Sequence, residues 1–160
     1  MAFVSIDNRT SCELPLDEYE ALALFVLGQK ALPEKTELSI SLVENEEIQA
    51  LNREFRGVDE PTDVLSFPCD ELDGDSLDVN EFDSERPEEA FLLGDLIIAP
   101  AVAQDHAEDF DSSLEDEMAL LIVHGILHLF GYDHVEDDDF ATMNALENDL
   151  LDTWGERDMR

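Results

Sequence analysis

The sequence predicts a single α/β domain over residues 1–160, a small mixed sheet packed with helices. Two observations predict it. Short segments of strand-like alternation recur between longer segments whose apolar residues repeat at helical spacing. With 160 residues and 44% hydrophobic content, the chain also forms one domain that buries a core without staples. Cys12 and Cys69 stand alone, with no Cys-x-x-Cys spacing, so neither a disulfide framework nor a thiolate metal site is suggested.

Phe3-Val4-Ser5-Ile6 alternates apolar and polar side chains and reads as a first strand ending at Asp7-Asn8. Leu16 to Ala31 has helical spacing, with Asp17 as N-cap and Ala21, Leu24, Phe25 and Leu27 as the apolar face. Leu38, Ile40 and Leu42 alternate with Ser39, Ser41 and Val43 in a half-buried strand. Asn45 through Phe55 returns to helical spacing, with Ile48, Leu51 and Phe55 inward. Asp63 to Phe67 is a strand stopped on either side by Pro61 and Pro68.

Residues 70–89 hold ten acidic residues against one arginine, the composition of a solvated, mobile loop. Asp73-Gly74-Asp75 within it lacks the rest of an EF-hand calcium loop. Phe91 to Ile98 is a strongly apolar strand, and Pro100 suits the first turn of a helix reaching about Phe110. Leu114 to Phe130 is a buried helix, apolar at Leu120, Leu121, Ile122, Val123, Ile126, Leu127 and Leu129. A last amphipathic helix runs from about Asp137 to Trp154, with Phe140, Met143, Leu146 and Leu150 on one side.

The N-terminus has no basic segment followed by a long apolar stretch, and nothing approaches transmembrane length, so a cytoplasmic protein without a membrane partner is expected. Its charge is extreme: 42 acidic against 8 basic residues give −34. Phosphate binding draws on clustered Lys and Arg, so a nucleic-acid partner requires positive potential confined to one place. Adaptation to a saline cytoplasm, or a partner protein that delivers the chain to its target, would each accommodate the charge.

Three of the four histidines fall in one run, His124-Gly-Ile-Leu-His128-Leu-Phe-Gly-Tyr-Asp-His134. Residues four apart lie about 40° apart around a helix, so His124 and His128 can converge on one ion. A continued helix would turn His134 about 80° away from His124. Gly131 allows the helix to stop and the chain to fold back, giving two ligands from the helix and one from the turn behind it. Three imidazoles leave one tetrahedral position open on a zinc ion, as catalytic sites do. Nickel or cobalt would fit the same donors, and availability favours zinc. The spacing matches the histidines and glycine of the metzincin pattern His-Glu-x-x-His-x-x-Gly-x-x-His, but Gly125 stands where those proteases carry their general base.

The same run closely resembles the signature of the YbeY family of bacterial endoribonucleases, His-Gly-x-Leu-His-Leu-x-Gly-Tyr-Asp-His. Leu51-Asn-Arg-Glu-Phe-Arg-Gly57 with Asp59-Glu-Pro-Thr-Asp-Val-Leu-Ser-Phe-Pro68 is similar to the family's second block, and Leu93-Gly-Asp-Leu-Ile-Ile98 to its third. The likeness covers most of residues 37–153. It implies a small mixed sheet with helices around a zinc cleft, and a zinc-dependent endonuclease of single-stranded RNA, working on the 3′ end of 16S ribosomal RNA and in ribosome quality control. It further implies contacts with small-subunit components and the Era GTPase.

The resemblance also places the family's functional arginine at Arg56, which alone would read as a surface residue. Arg53 is the other candidate, though more simply a solvated helix residue. Asp133 either orients a ligand imidazole or caps the turn after Gly131; Tyr132 reads as packing and His106 as surface. No carboxylate stands out as a general base, so attack by water and attack by the RNA 2′-hydroxyl both remain open. The rival readings are a metzincin-like metalloprotease or other metal-dependent hydrolase, and a non-catalytic ribosome-assembly factor with a structural metal.

Overall fold

The side-chain alternation of four segments builds one mixed sheet. A computed structural model describes residues 2–29, 32, 35–69, 91–130 and 137–158, with the backbone alone at 137–144 and 156–158. The strands are β1 (Phe3–Asn8), β2 (Thr36–Leu42), β3 (Val64–Pro68) and β4 (Phe91–Ile98). The helices are α1 (Leu16–Leu27), α2 (Asn45–Arg56), α3 (Pro100–Asp109), α4 (Leu114–Leu129) and α5 (Asp137–Asp158). The strand order is β1-β2-β4-β3, with β1, β2 and β4 parallel and β3 antiparallel at the edge beside β4. The expected acidic loop at 70–89 and the turn from Gly131 to His134 lie outside the described residues.

Period-two alternation gives the sheet two different faces. Leu38, Ile40 and Leu42 are aligned with Gly94, Leu96 and Ile98 and point to one side. There they join Leu22, Ala23 and Val26 of α1 and Met118, Ile122 and Ile126 of α4 in the main core. Each such Leu, Ile, Val or Met side chain contributes about 1.5–3 kcal/mol by leaving water. On the other side Leu65, with Phe67 and Ile97, packs under Ile48 and Leu51 of α2 in a smaller cluster. The edge strand β3 therefore has α4 on one face and α2 on the other.

Local signals set the helix ends that matter. Ser113 caps α4 by accepting from the Asp116 N–H at 3.1 Å, and Glu115, Asp116 and Glu117 occupy the positive first turn. Gly57 ends α2 in the left-handed conformation (φ 73°), where a Cβ would be strained, and donates its N–H to the Arg53 carbonyl. Pro100 opens α3 as expected.

Four expectations require correction. Asp17 is not the cap of α1: the helix begins at Leu16, and the Pro15 carbonyl accepts from Glu18 and Tyr19. The helix closes at Leu27 rather than Ala31, because Gln29 turns back to the Val26 carbonyl. Its buried stripe is Tyr19, Leu22, Ala23, Val26 and Leu27, while Ala21 is exposed. With seven apolar residues in succession from Ala21 to Leu27, periodicity does not fix which face turns inward. Phe55, expected inward, is 60% exposed at the rim of α2, its ring edge-on to Phe67 at 5.1 Å.

Burial, then the neighbouring carboxylates of Glu115 and Glu18, push the Tyr19 phenol up to about 12. In the unfolded chain a tyrosine ionises near pH ~10. The folded state thus holds this proton longer, and its contribution is intact below about pH 10 and lost as pH rises toward about 12. The urea midpoint is expected to fall more steeply across that alkaline window in the wild type than in Tyr19→Phe. Equal slopes would show that this phenol is not perturbed.

Candidate metal centre

His124 and His128 occupy successive turns at the C-terminal end of α4. Their i, i+4 spacing brings the rings edge-to-face, with centroids 4.5 Å apart and planes at 78°. The two Nε2 atoms face each other at 2.9 Å. Buried Val123, Ile126 and Leu127 around them fix the helix against the core, while both histidines stay half-buried along its side. His134, expected as the third ligand, lies outside the described residues, as do Gly131, Tyr132 and Asp133. Among the described residues no group of three or more His, Cys, Asp and Glu side chains converges on a metal position.

Gly125, between the two histidines in sequence, faces the sheet. Its carbonyl accepts from Ser66 Oγ at 3.3 Å. A Cβ here would lie 2.7 Å from Leu96 Cδ2 and 3.4 Å from Ser66 Oγ. The glycine is thus a close-approach residue that lets α4 sit directly on β3 and β4. A glutamate at this position would be driven into the sheet, so the packing that seats the histidines excludes the metzincin base from this place.

Composition gave no signal for Glu147. It lies on α5, 7% exposed, and its Oε1 meets His124 Nδ1, the ring nitrogen opposite the one that faces His128. As one carboxylate among 42 acidic residues on an amphipathic helix it carries no distinguishing pattern. Only its place between Leu146 and Leu150, which pack on the core, would have hinted at a buried side.

The arginines separate clearly. Arg9 is bound by Asp7 at 2.8 Å and Glu47 at 2.6 Å, and Arg53 by Asp59 at 3.7 Å. Arg56 is exposed at the end of α2 and makes no ion pair among the described residues. Among the described residues no hydrogen bond or ion pair joins it to the histidines; α2 and α4, which carry them, flank the edge strand from its two sides. Phe55, beside Arg56, rests on Phe67, and the adjacent Ser66 reaches Gly125 through the opposite face. His106 is half-buried with Nδ1 3.7 Å from Asp63 Oδ2.

Comparison with known proteins agrees along nearly the whole length. The family model described as Endoribonuclease YbeY matches residues 5–155. An Endoribonuclease YbeY of Renibacterium salmoninarum is 41% identical over 155 residues, 97% of this chain and 94% of the relative. One from Listeria innocua is 41% identical over 138 residues, covering 85% and 84%. Among solved structures, TM1509 from Thermotoga maritima superposes with a TM-score of 0.59 over 96% of this chain and 93% of its own, at 24% identity. That likeness supports the fold.

The contact under Gly125 is directly testable. Leu96 is fully buried and cannot move aside without disturbing the core. Gly125→Ala is expected to lower unfolding free energy by about 1–3 kcal/mol in urea titration. An unchanged midpoint would mean that α4 does not sit this close to the sheet.

Proposed function

The chain belongs to the Endoribonuclease YbeY family, and from that we propose that it is a zinc-dependent, single-strand-specific endoribonuclease. The observation that carries the proposal is the opposed Nε2 atoms of His124 and His128 at 2.9 Å. Nitrogens sharing a tetrahedral zinc at about 2.0–2.1 Å would lie roughly 3.3 Å apart, so a small opening of the pair would seat one ion. His134, ten residues after His124, would complete the set. When bound, zinc supplies Lewis-acid polarisation of a phosphoryl oxygen.

The protein's own groups account for the remaining requirements. To hold an ion, both histidines must present a bare Nε2 lone pair. Arg56 has the geometry and charge to take two oxygens of a phosphodiester as negative charge develops there. It is favoured over Arg53, whose guanidinium already faces Asp59. The ends left on the RNA separate the two routes of attack: a 2′,3′-cyclic phosphate marks the internal hydroxyl, and a simple monoester marks water.

The substrate we infer is precursor 16S ribosomal RNA, cut near its 3′ end in the cytoplasm as part of maturation and quality control. Small-subunit components and the Era GTPase are the proposed partners; DNA and membranes are not. No helix among the described residues is long and apolar enough to cross a membrane. A protease of the metzincin type is not favoured, since Gly125 supplies no base and its surroundings admit none.

Elemental analysis of the purified chain is expected to give about one zinc per molecule, and His128→Ala a small fraction of that. Equal metal content in the two would remove the histidine pair from the site. Cleavage of a single-stranded RNA is expected to fall about 10²–10³-fold in Arg56→Ala with unchanged thermal melting, while casein stays intact. Casein digestion with intact RNA would favour the protease. Full activity in the Arg56 variant would strip that residue of its role, and unfolding on chelation without any RNA cleavage would favour a structural metal.

A further inference from the structure

Glu147 is the one charged side chain that the fold buries among the described residues. A carboxylate taken out of water is costly unless a donor compensates it. The donor here is His124: Oε1 of Glu147 meets Nδ1 of the ring. An ionised carboxylate only accepts, so the contact requires the ring proton on Nδ1. In the neutral ring that metal binding requires, that assignment leaves Nε2 as a bare lone pair, directed at the Nε2 of His128. A histidine without such a partner prefers the opposite tautomer, with its proton on Nε2, where it would block an incoming ion. We propose that Glu147 is a positioning residue of the metal centre: it selects the metal-binding tautomer of His124 and fixes the rotation of its ring.

The inference rests on the metal-site reading above and deepens it. Glu147 touches neither ion nor substrate; it acts through the far edge of the imidazole, from a helix other than the one bearing the ligands. The surrounding packing makes the contact specific. Leu146, Leu150, Leu151 and Trp154 pack α5 on the main core, while Asn148 and Asp149 are exposed. Glu147 therefore enters the interior as part of a helix face otherwise filled by hydrocarbon. Such outer carboxylates typically change metal affinity about 10–100-fold when removed.

The test uses the full chain in wild-type, Glu147→Leu and Glu147→Gln forms. Zinc affinity is measured by competition with a coloured chelator, and the His124 tautomer of the metal-free protein by long-range proton–nitrogen NMR. Wild type is expected to show the Nδ1–H form. Glu147→Leu should shift His124 toward the Nε2–H form and weaken zinc binding about 10–100-fold. Glu147→Gln, which keeps an acceptor oxygen, should recover part of both. Folding of each metal-free variant is checked by thermal melting, so that a structural loss is not mistaken for a loss of positioning; should Glu147→Leu misfold, Glu147→Gln decides alone. Zinc affinity and tautomer unchanged in a folded variant would overturn the role of Glu147 while leaving the metal site standing. A wild type that binds no zinc would overturn the metal site, and this role with it.

Discussion

The distance between the histidine helix and the sheet is the constraint on which the rest depends. At Gly125 the backbone of α4 lies on Leu96 and Ser66 with no space for a methyl group. Close-packed interiors transmit such a contact rigidly. Residues on either side are consequently fixed in rotation: Val123, Ile126 and Leu127 go to the core, and His124 and His128 are left along the half-open side. The same contact ties the helix to β3, the strand whose other face carries the Arg56 end of α2 through Phe67 and Phe55. One glycine thus sets the placing of the two imidazoles and their relation to the arginine across the edge strand.

Electrostatics sharpen the problem of binding RNA. A chain of net charge −34 repels phosphates at long range, although at physiological salt the repulsion is screened over about 8 Å. Attraction must therefore be local. Arg9 and Arg53 are already neutralised by acidic neighbours, and Arg56 at the tip of α2 is the arginine side chain among those described that is not. A divalent ion held by neutral imidazoles would add positive charge that no ligand cancels. On the proposed reading, a small positive spot inside a strongly negative surface selects RNA that is already unpaired and delivered close, rather than recruiting nucleic acid from a distance.

Much of this was legible in the sequence because the strongest patterns were local. Alternation at Leu38, Ile40 and Leu42, the proline stops around β3, and the i, i+4 histidines each determine geometry within a few residues. The fold class and the order of elements followed from them. What the pattern left undetermined was phase and partnership. The apolar run in α1 looks the same from every direction, so its inward face was assigned only in part: Leu27 is buried and Phe25 packs on the core, but Ala21 is exposed. Phe55 satisfied helical spacing yet sits at an exposed rim. Glu147 was invisible for a different reason: its meaning arises from a contact with His124 that no local rule contains. The motif histidines were conspicuous by spacing, whereas their support depends on tertiary packing.

The separation of that contact along the chain has a consequence for synthesis. His124 and the carboxylate facing it are 23 residues apart, on different helices, and the later helix is the last element of the described chain. The parallel sheet likewise waits for β4 before β2 gains its second neighbour. A nascent polypeptide that has not yet formed α5 would own both imidazoles but not the carboxylate that faces one of them. On the proposed reading, assembly of the centre thus waits for α5 to pack on α4, well after both imidazoles have been made.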